Sequence, residues 1–406
     1  MARWLALLSV TVLVIASAGV LSAPVGAGSA LAVADEIASE VSSLADWPPY
    51  SALRRVPRSL RRSWQHRLTA VVRKASNERE WLLAAVLLEV LAAADEFDQC
   101  AFEGDSDSFS RCYEAWLRYH LGWDLGPHDV YRLATERADD FLEAVLSPRS
   151  DISRPWLFVE AGGLKEVLTA ALQRADDEVR TAIDSMIPFR PLHDCVSVRA
   201  GSGPPVAAYW GADPAGCVIV RLDTAAARVW GPAEVRRIYA HEVWPGHHLL
   251  ATVAAEPLHP ILRRVDWLGF TEGWATYAEA LSSDIDPDGS LPSAMALHLF
   301  RLSLLARVDV GVHALGWSPE SAADTLKAMG GYSAQEAEAT VDGILMTPGK
   351  QASYFVGYLT FRLLRDAANH DRFEAMAPRA FHHIILRHGP LPLGTARELI
   401  LEEKFR

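Results

Sequence analysis

The sequence predicts a mainly α-helical protein with a small β element near its middle, and three observations predict it. From about Asp35 to Ile187, apolar residues recur at spacings of three and four, as in "EWLLAAVLLEVLAAADEFDQ" and "VYRLATERADDFLEAVLS", which puts them on one face of a helix. Between Pro188 and Asp223 the texture changes to "CVSVRAGSGPPVAAYWGADPAGCVIVRLD", with β-branched alternation on both sides of a Gly/Pro-rich connection. After Gly231-Pro232 the helical spacing returns and runs to the end through "AMALHLFRLSLLARVDVGVHAL", "YSAQEAEATVDGILM" and "QASYFVGYLTFRLLRDAA". Half of the 406 residues are hydrophobic, enough to bury a sizeable core.

The N-terminal stretch "MARWLALLSVTVLVIASAGVLSAPVGAGSALAVADE" combines one Arg, a long apolar run and small residues ending in Ala30-Leu31-Ala32. That pattern reads as a signal peptide over residues 1–32 and places the mature chain in the periplasm or outside the cell. The competing reading is an uncleaved anchor, because Trp4 to Ser22 is almost long enough to span a bilayer. No later segment reads as transmembrane, so no stable membrane insertion is expected after cleavage. The first cysteine is Cys100, which leaves the signal region without a site for lipid attachment.

Residues 33–187 read as an N-terminal helical region, with turns at "WPPY", "LGPHD" and "SPRSDISRP". No Gly/Ser/Pro-rich linker and no internal repeat divides the chain further. Four cysteines in an exported chain suggest two bridges between sequence neighbours, Cys100 with Cys112 and Cys195 with Cys217. A formal charge of -12 with no Lys/Arg cluster argues against nucleic acid as a partner.

Residues 188–406 hold the chemistry. "HEVWPGHH", residues 241 to 248, opens like the zinc signature H-E-x-x-H but carries Pro245 where the second histidine would stand. On a straight helix His247 would lie about 9 Å along the axis from His241, and His248 about 10.5 Å. Pro245 cannot donate to the carbonyl of His241 and its ring clashes there, so the helix must kink or bulge. With Gly246 beside it, the extra residues can loop out and swing a late histidine back. His247 is the first choice and His248 the rival; an H-E pair and adjacent histidines also occur where no metal is bound.

"FTEGWATYAE", residues 270 to 279, supplies a third candidate ligand. A catalytic zinc commonly takes three protein ligands, His, His and Glu among them, and keeps a position for water. Glu272 lies 31 residues after His241, and Gly273 and Trp274 beside it permit close packing against another helix. Glu279 reads as a solvated helical glutamate. Glu242 then has the task of general base, taking a proton from the attacking water. These residues alone predict a metal-dependent hydrolase.

"HEVWPGHH", "TEGWATYAE", "VDVGVHALGW", "PGKQASYFVGYL" and "FHHIILRHGPLPLGTARELI" together resemble the bacterial family called domain of unknown function 885, from about Tyr119 to the C-terminus. Members of that family are placed among helical zinc metallopeptidases of the gluzincin type. The resemblance therefore implies a large helical metallopeptidase-like domain, a Zn2+ cofactor and a peptide substrate. "TEGWATYAE" is also similar to the "NEGFA" block of the membrane alanyl aminopeptidases, whose glutamate is the third zinc ligand; this supports Glu272. At Lys350 and Ser353, in "PGKQASY", the chain departs from residues its relatives often have.

Two further residues are candidates for stabilising an oxyanion. Tyr354 lies in "SYFVGYLTF", which resembles the tyrosine block of angiotensin-converting-enzyme-like peptidases; a packed core aromatic is the blander reading. His313 is the second candidate donor, with Asp309 one helical turn away to orient it or a zinc ligand. Arg307 and Arg362 could bind a substrate carboxylate or form surface ion pairs, and Tyr239 reads as packing. "PPVAAYWG" with "CVIVRLD" could offer an edge strand to an extended peptide, or be a plain hairpin. The leading expectation is an exported zinc metallopeptidase for short peptides, its cleft between the N-terminal helices and the motif-bearing half. The alternatives are a metal-dependent hydrolase of another amide or ester, and a helical binding protein with a structural metal.

Overall fold

The computed structural model of the chain describes residues 29–42, 53, 55–100, 106–146, 163–190, 195–203, 205–223, 226–253, 258–283, 290–368 and 376–401. Helices α1 (Ala30–Ser42), α2 (Arg58–Lys74), α3 (Glu78–Cys100), α4 (Ser106–Leu121), α5 (Pro127–Leu146) and α6 (Leu164–Ile183) come first. Strands β1 (Cys195–Gly201), β2 (Ala207–Ala212) and β3 (Cys217–Asp223) follow. Helices α7 (Pro232–Glu242), α8 (His247–Val253), α9 (Leu268–Ser283), α10 (Ser290–Ala314), α11 (Pro319–Gly330), α12 (Ala334–Met346), α13 (Lys350–Ala368), α14 (Pro378–Leu386) and α15 (Leu393–Leu401) complete the chain. The mainly helical class read from the periodicity is the class observed.

The apolar spacing explains the packing. α3 buries Trp81, Leu82, Leu83, Ala84, Val86 and Leu87 in succession, more than one face, because α2 and α4 both pack on it. One continuous core joins residues from Ala30 to Ile400, and a satellite core forms where α10 meets α11 and α12. α5 packs on α10 and α6 on α7, so helices on either side of residue 187 share that core. No helix of the described residues is long and apolar enough to cross a membrane.

The expected signal segment lies, up to residue 28, outside the described residues. Ala30, Leu31 and Ala32 form the first turn of α1. Ala30, Val33, Ala34 and Ile37 are buried, and the Ala30 N–H donates to Glu80 Oε1 at 2.9 Å. A cut after Ala32 would remove residues that the core uses.

The sheet has the order β1-β3-β2. β2 and β3 form the expected antiparallel hairpin, closed by a turn in which the Asp213 side chain accepts the amides of Ala215 and Cys217. β1 is added to it in parallel, a pairing that local sequence does not specify. Register places Cys195 opposite Cys217, and their sulfurs are bonded; Cys100 and Cys112 form the other disulfide. Val218, Val220 and Leu222 turn inward from the central β3, and the strand order makes β2 one edge of the sheet and β1 the other.

α9 and α14 are tied by a buried polar contact. His382 Nδ1 lies 2.9 Å from the Met186 carbonyl and must donate to it, so Nε2 accepts from the Tyr277 hydroxyl at 3.0 Å. Burial pushes the His382 pKa down to about 4, against the pull of the Met186 hydrogen bond. The unfolded chain's histidine takes up its proton near pH 6.5, whereas the folded one resists until about pH 4. Above 6.5 both states are neutral and no penalty applies; between 6.5 and about 4 the unfolded state binds more protons and stability falls. His382→Gln should flatten this acid branch by up to roughly 3 kcal/mol, read from denaturant melts at pH 7.5 and pH 4.5.

Candidate metal centre

α7 begins with Pro232 at its first position, where a missing N–H costs nothing, and ends at Glu242. Val243 still donates to the Tyr239 carbonyl, but Pro245 has no N–H for the His241 carbonyl and the chain leaves the helix. The Trp244–Pro245 bond is cis, and α8 starts at His247. Gly246 passes so close to the end of α7 that a Cβ there would lie 1.8 Å from the His241 carbonyl oxygen; only glycine fits. From α9 the buried Trp274 indole donates to the Pro245 carbonyl at 2.7 Å. The looped-out residues are thus held by backbone contact on one side and a hydrogen bond on the other.

This path turns His247 back onto His241. Their rings meet edge to face, with centroids 4.8 Å apart. Glu272 Oε2 lies 3.4 Å from His241 Nε2 and 3.3 Å from His247 Nε2. All three ligand atoms fall within 4.8 Å of one another, the one such group of three among the described residues. A zinc ion bound tetrahedrally at 2.0–2.1 Å separates its ligand atoms by roughly 3.3 Å, so the two imidazole-to-carboxylate edges fit such an ion. Glu272 Oε2 is also buried without a hydrogen bond, which a cation would relieve.

The surrounding carboxylates favour positive charge at this point, whether a proton or a metal ion carries it. Burial alone would raise the Glu272 carboxyl, yet the two imidazoles hold it well below the usual carboxylate range. Burial alone would lower His241, yet Glu272 and Glu279 hold it well above the ordinary histidine value. Glu279 is not solvated, as its helical context suggested; its side chain is fully buried, with Oε1 2.6 Å from His241 Nδ1. Its Oε2 accepts from Arg237 at 2.7 Å and lies 3.3 Å from His298 Nε2. Glu272 and Glu279 are seven residues apart, two turns on one face of α9. Together they address the two ring nitrogens of a single histidine. Arg237 continues the chain of charge to Glu234 on α7.

A cleft of about 470 Å³ opens over this cluster, lined by β2, α7, α8, α9, the start of α13 and Pro390. The N-terminal helices do not line it, contrary to the expected cleft between halves. Glu242 is buried at its wall, and its Oε2 accepts the Tyr209 backbone N–H at 2.6 Å. Tyr354 faces the cleft beside Glu272; burial, with the negative charges of Glu272 and Glu242, pushes its pKa well above the ordinary value and keeps the hydroxyl a donor. α13 brings it there because α9 and α13 touch backbone to backbone. A Cβ on Gly273 would sit 2.4 Å from Gly357 Cα, and one on Gly357 would sit 2.0 Å from the Gly269 carbonyl oxygen.

Other sequence candidates are placed elsewhere. His248 points away from the cluster, its Nδ1 3.3 Å from the Tyr209 hydroxyl, because consecutive residues of α8 face different sides. His313 is buried on α10, stacked on Tyr113, and its Nε2 donates to the Ile344 carbonyl at 3.0 Å; it does not reach the cleft. Asp309 accepts the Gly349 and Ala352 amides at 3.0 and 3.1 Å, so it caps α13 and positions Tyr354 at a distance. Arg307 lies over the Tyr131 ring and Arg362 pairs with Asp366, both outside the cleft. Tyr239 is packed as expected, with its hydroxyl on Asp176. Glu279, Arg237 and His298 were not among the site residues read from the sequence. The spacing of Glu234, Arg237 and His241, matched by Glu272 and Glu279, is the signal that could have revealed the first two.

The family described as "Bacterial protein of unknown function (DUF885)" matches residues 2–400, so the resemblance extends well before Tyr119. A presumed lipoprotein from Colwellia psychrerythraea is 16% identical, with a TM-score of 0.62 over 91% of this chain and 69% of that one. A presumed lipoprotein of unknown function from Shewanella oneidensis is 15% identical, with a TM-score of 0.58 over 91% of this chain and 82% of that one. Both likenesses are of fold. No curated protein sequence matches the chain.

The glycine contact that positions Glu272 and Tyr354 is testable. Gly273→Ala should destabilise the protein by about 1–3 kcal/mol through overpacking. Gly343→Ala, with nothing within 4 Å of its new methyl group, should stabilise it by about 0.5–1 kcal/mol. Paired denaturant melts measure both.

Proposed function

The chain belongs to the bacterial DUF885 family, and from that premise we propose that it is a zinc-dependent metallopeptidase acting on short peptides outside the cytoplasm. The observation that carries the reading is the convergence of His241, His247 and Glu272 on one point, with Glu279 behind His241 and Glu242 and Tyr354 beside the opening. Two disulfides suit an oxidising compartment, and the description of the structural neighbours as lipoproteins agrees with an envelope location.

In this reading His241, His247 and Glu272 hold the ion, and Glu279 fixes the His241 ring by accepting from its Nδ1. A zinc ion there would supply Lewis acidity for a carbonyl and lower the pKa of water at its open position. The protein's own groups do the rest. Glu242, held by the Tyr209 amide on one oxygen, takes the proton of the attacking water and passes it to the leaving amine. The Tyr354 hydroxyl, kept protonated by its surroundings, donates to the oxygen on which negative charge develops. β2 is an edge strand whose Ala207, Ala208 and Tyr209 line the cleft, which suits an extended peptide laid along it. A cleft of about 470 Å³ matches a short ligand.

The test is a mixed peptide library incubated with purified protein, with and without a chelator. Wild type should cleave, chelator should abolish cleavage, and Glu242→Gln should lower the rate by about 10²–10⁴-fold while retaining its circular dichroism. No cleavage of any peptide by zinc-loaded wild type would overturn the peptidase reading. Glu279→Gln should weaken zinc binding by about 10–100-fold in competition with a chromophoric chelator.

A further inference from the structure

We infer that Lys350 binds a carboxylate of the peptide substrate and so confines cleavage to bonds within about two residues of that negative charge; the inference rests on the peptidase reading above. Among the described residues lining the cleft, Lys350 is the one lysine or arginine; Glu242, Asp266 and Glu272 line it too. Its ammonium forms no ion pair or hydrogen bond with the described residues, although its charge reaches Asp266. Asp266 is therefore near enough to feel Lys350 and does not close on it.

The position of Lys350 makes a missing anion more pressing. It is the first residue of α13, a helix of 19 residues, whose N-terminal end already carries partial positive charge. A cation is disfavoured there unless an anion faces it. Asp309 does not serve, because it is spent on the Gly349 and Ala352 amides beneath the helix. With those amides occupied, the ammonium is the donor that this end of α13 presents to the cleft.

Tyr354 lies four residues on, so the two side chains share a face of α13. Four residues advance about 6 Å along the helix axis, while an extended peptide advances about 3.3–3.6 Å per residue. If Tyr354 addresses the carbonyl under attack, a carboxylate at Lys350 belongs to a residue one or two positions away. A peptide backbone is neutral, so two sources of this anion exist: the C-terminal carboxylate and an acidic side chain at that position. Arg307 and Arg362 lie outside the cleft and leave the role to Lys350.

The test reads binding rather than turnover. The zinc-loaded Glu242→Gln protein is titrated calorimetrically with a tripeptide ending in a free acid and with its C-terminal amide. A second pair, both amidated, differs by Glu or Gln at the last position. The carboxylate-bearing member of at least one pair should bind about tenfold or more tightly, the terminal pair or the side-chain pair identifying the source. Adding Lys350→Gln should bring that ratio near one, and Lys350→Arg should restore most of it. Equal binding within both pairs, or a preference that survives Lys350→Gln, overturns the inference. Because no cleavage is required, this result and the library assay fail independently.

Discussion

One imidazole gripped from both sides organises the centre of this protein. Glu272 approaches His241 Nε2 and Glu279 sits on its Nδ1, from positions two turns apart on α9. Two carboxylates and a histidine in a packed interior carry a heavy desolvation cost, and they persist only because charge is balanced along a chain. Arg237 answers Glu279, and Glu234 answers Arg237. The open end of that chain is Glu272, with a buried oxygen that lacks a hydrogen bond. In the proposed reading a divalent cation would complete it. The arrangement therefore reads as a socket in which a chain of paired charges ends at Glu272.

The rest of the architecture keeps α7, α9 and α13 in register around that socket. α9 does most of this, since its consecutive residues serve different neighbours. Gly273 lets α13 approach until backbones touch, Trp274 holds the turn before His247, and Tyr277 reaches His382 on α14. Candidate ligand side chains that come from segments fixed by the same helix would need little rearrangement to meet an ion. The capping of α13 by Asp309 extends the same logic to Tyr354.

Much of this was legible in the amino-acid order, because the deciding physics was local. Proline at position 245 ends a helix wherever it occurs, so the interrupted signature could be read as a detour before any coordinates existed. The choice between His247 and His248 was not local; it depends on Gly246 pressing against the His241 carbonyl and on which side of α8 then faces the cleft. Glu279 was misjudged for a similar reason, since nothing in "WATYAE" says that both faces of α9 are covered. His313 shows the converse. Its partner is a carbonyl 31 residues away in sequence, at the end of another helix, and only packing supplies it. Cysteine pairing was readable from sequence neighbours, whereas the parallel seat of β1 beside β3 was not.

The amide of Tyr209 has a consequence beyond holding a carboxylate still. It fastens the sheet edge to Glu242, so the strand that an extended ligand would ride along and the group that would move the proton form one mechanical unit. A ligand that drew the strand outward would lengthen that bond, and one that pressed it inward would shorten it. Occupancy of the groove would thereby reach Glu242 through the backbone, without any domain having to close.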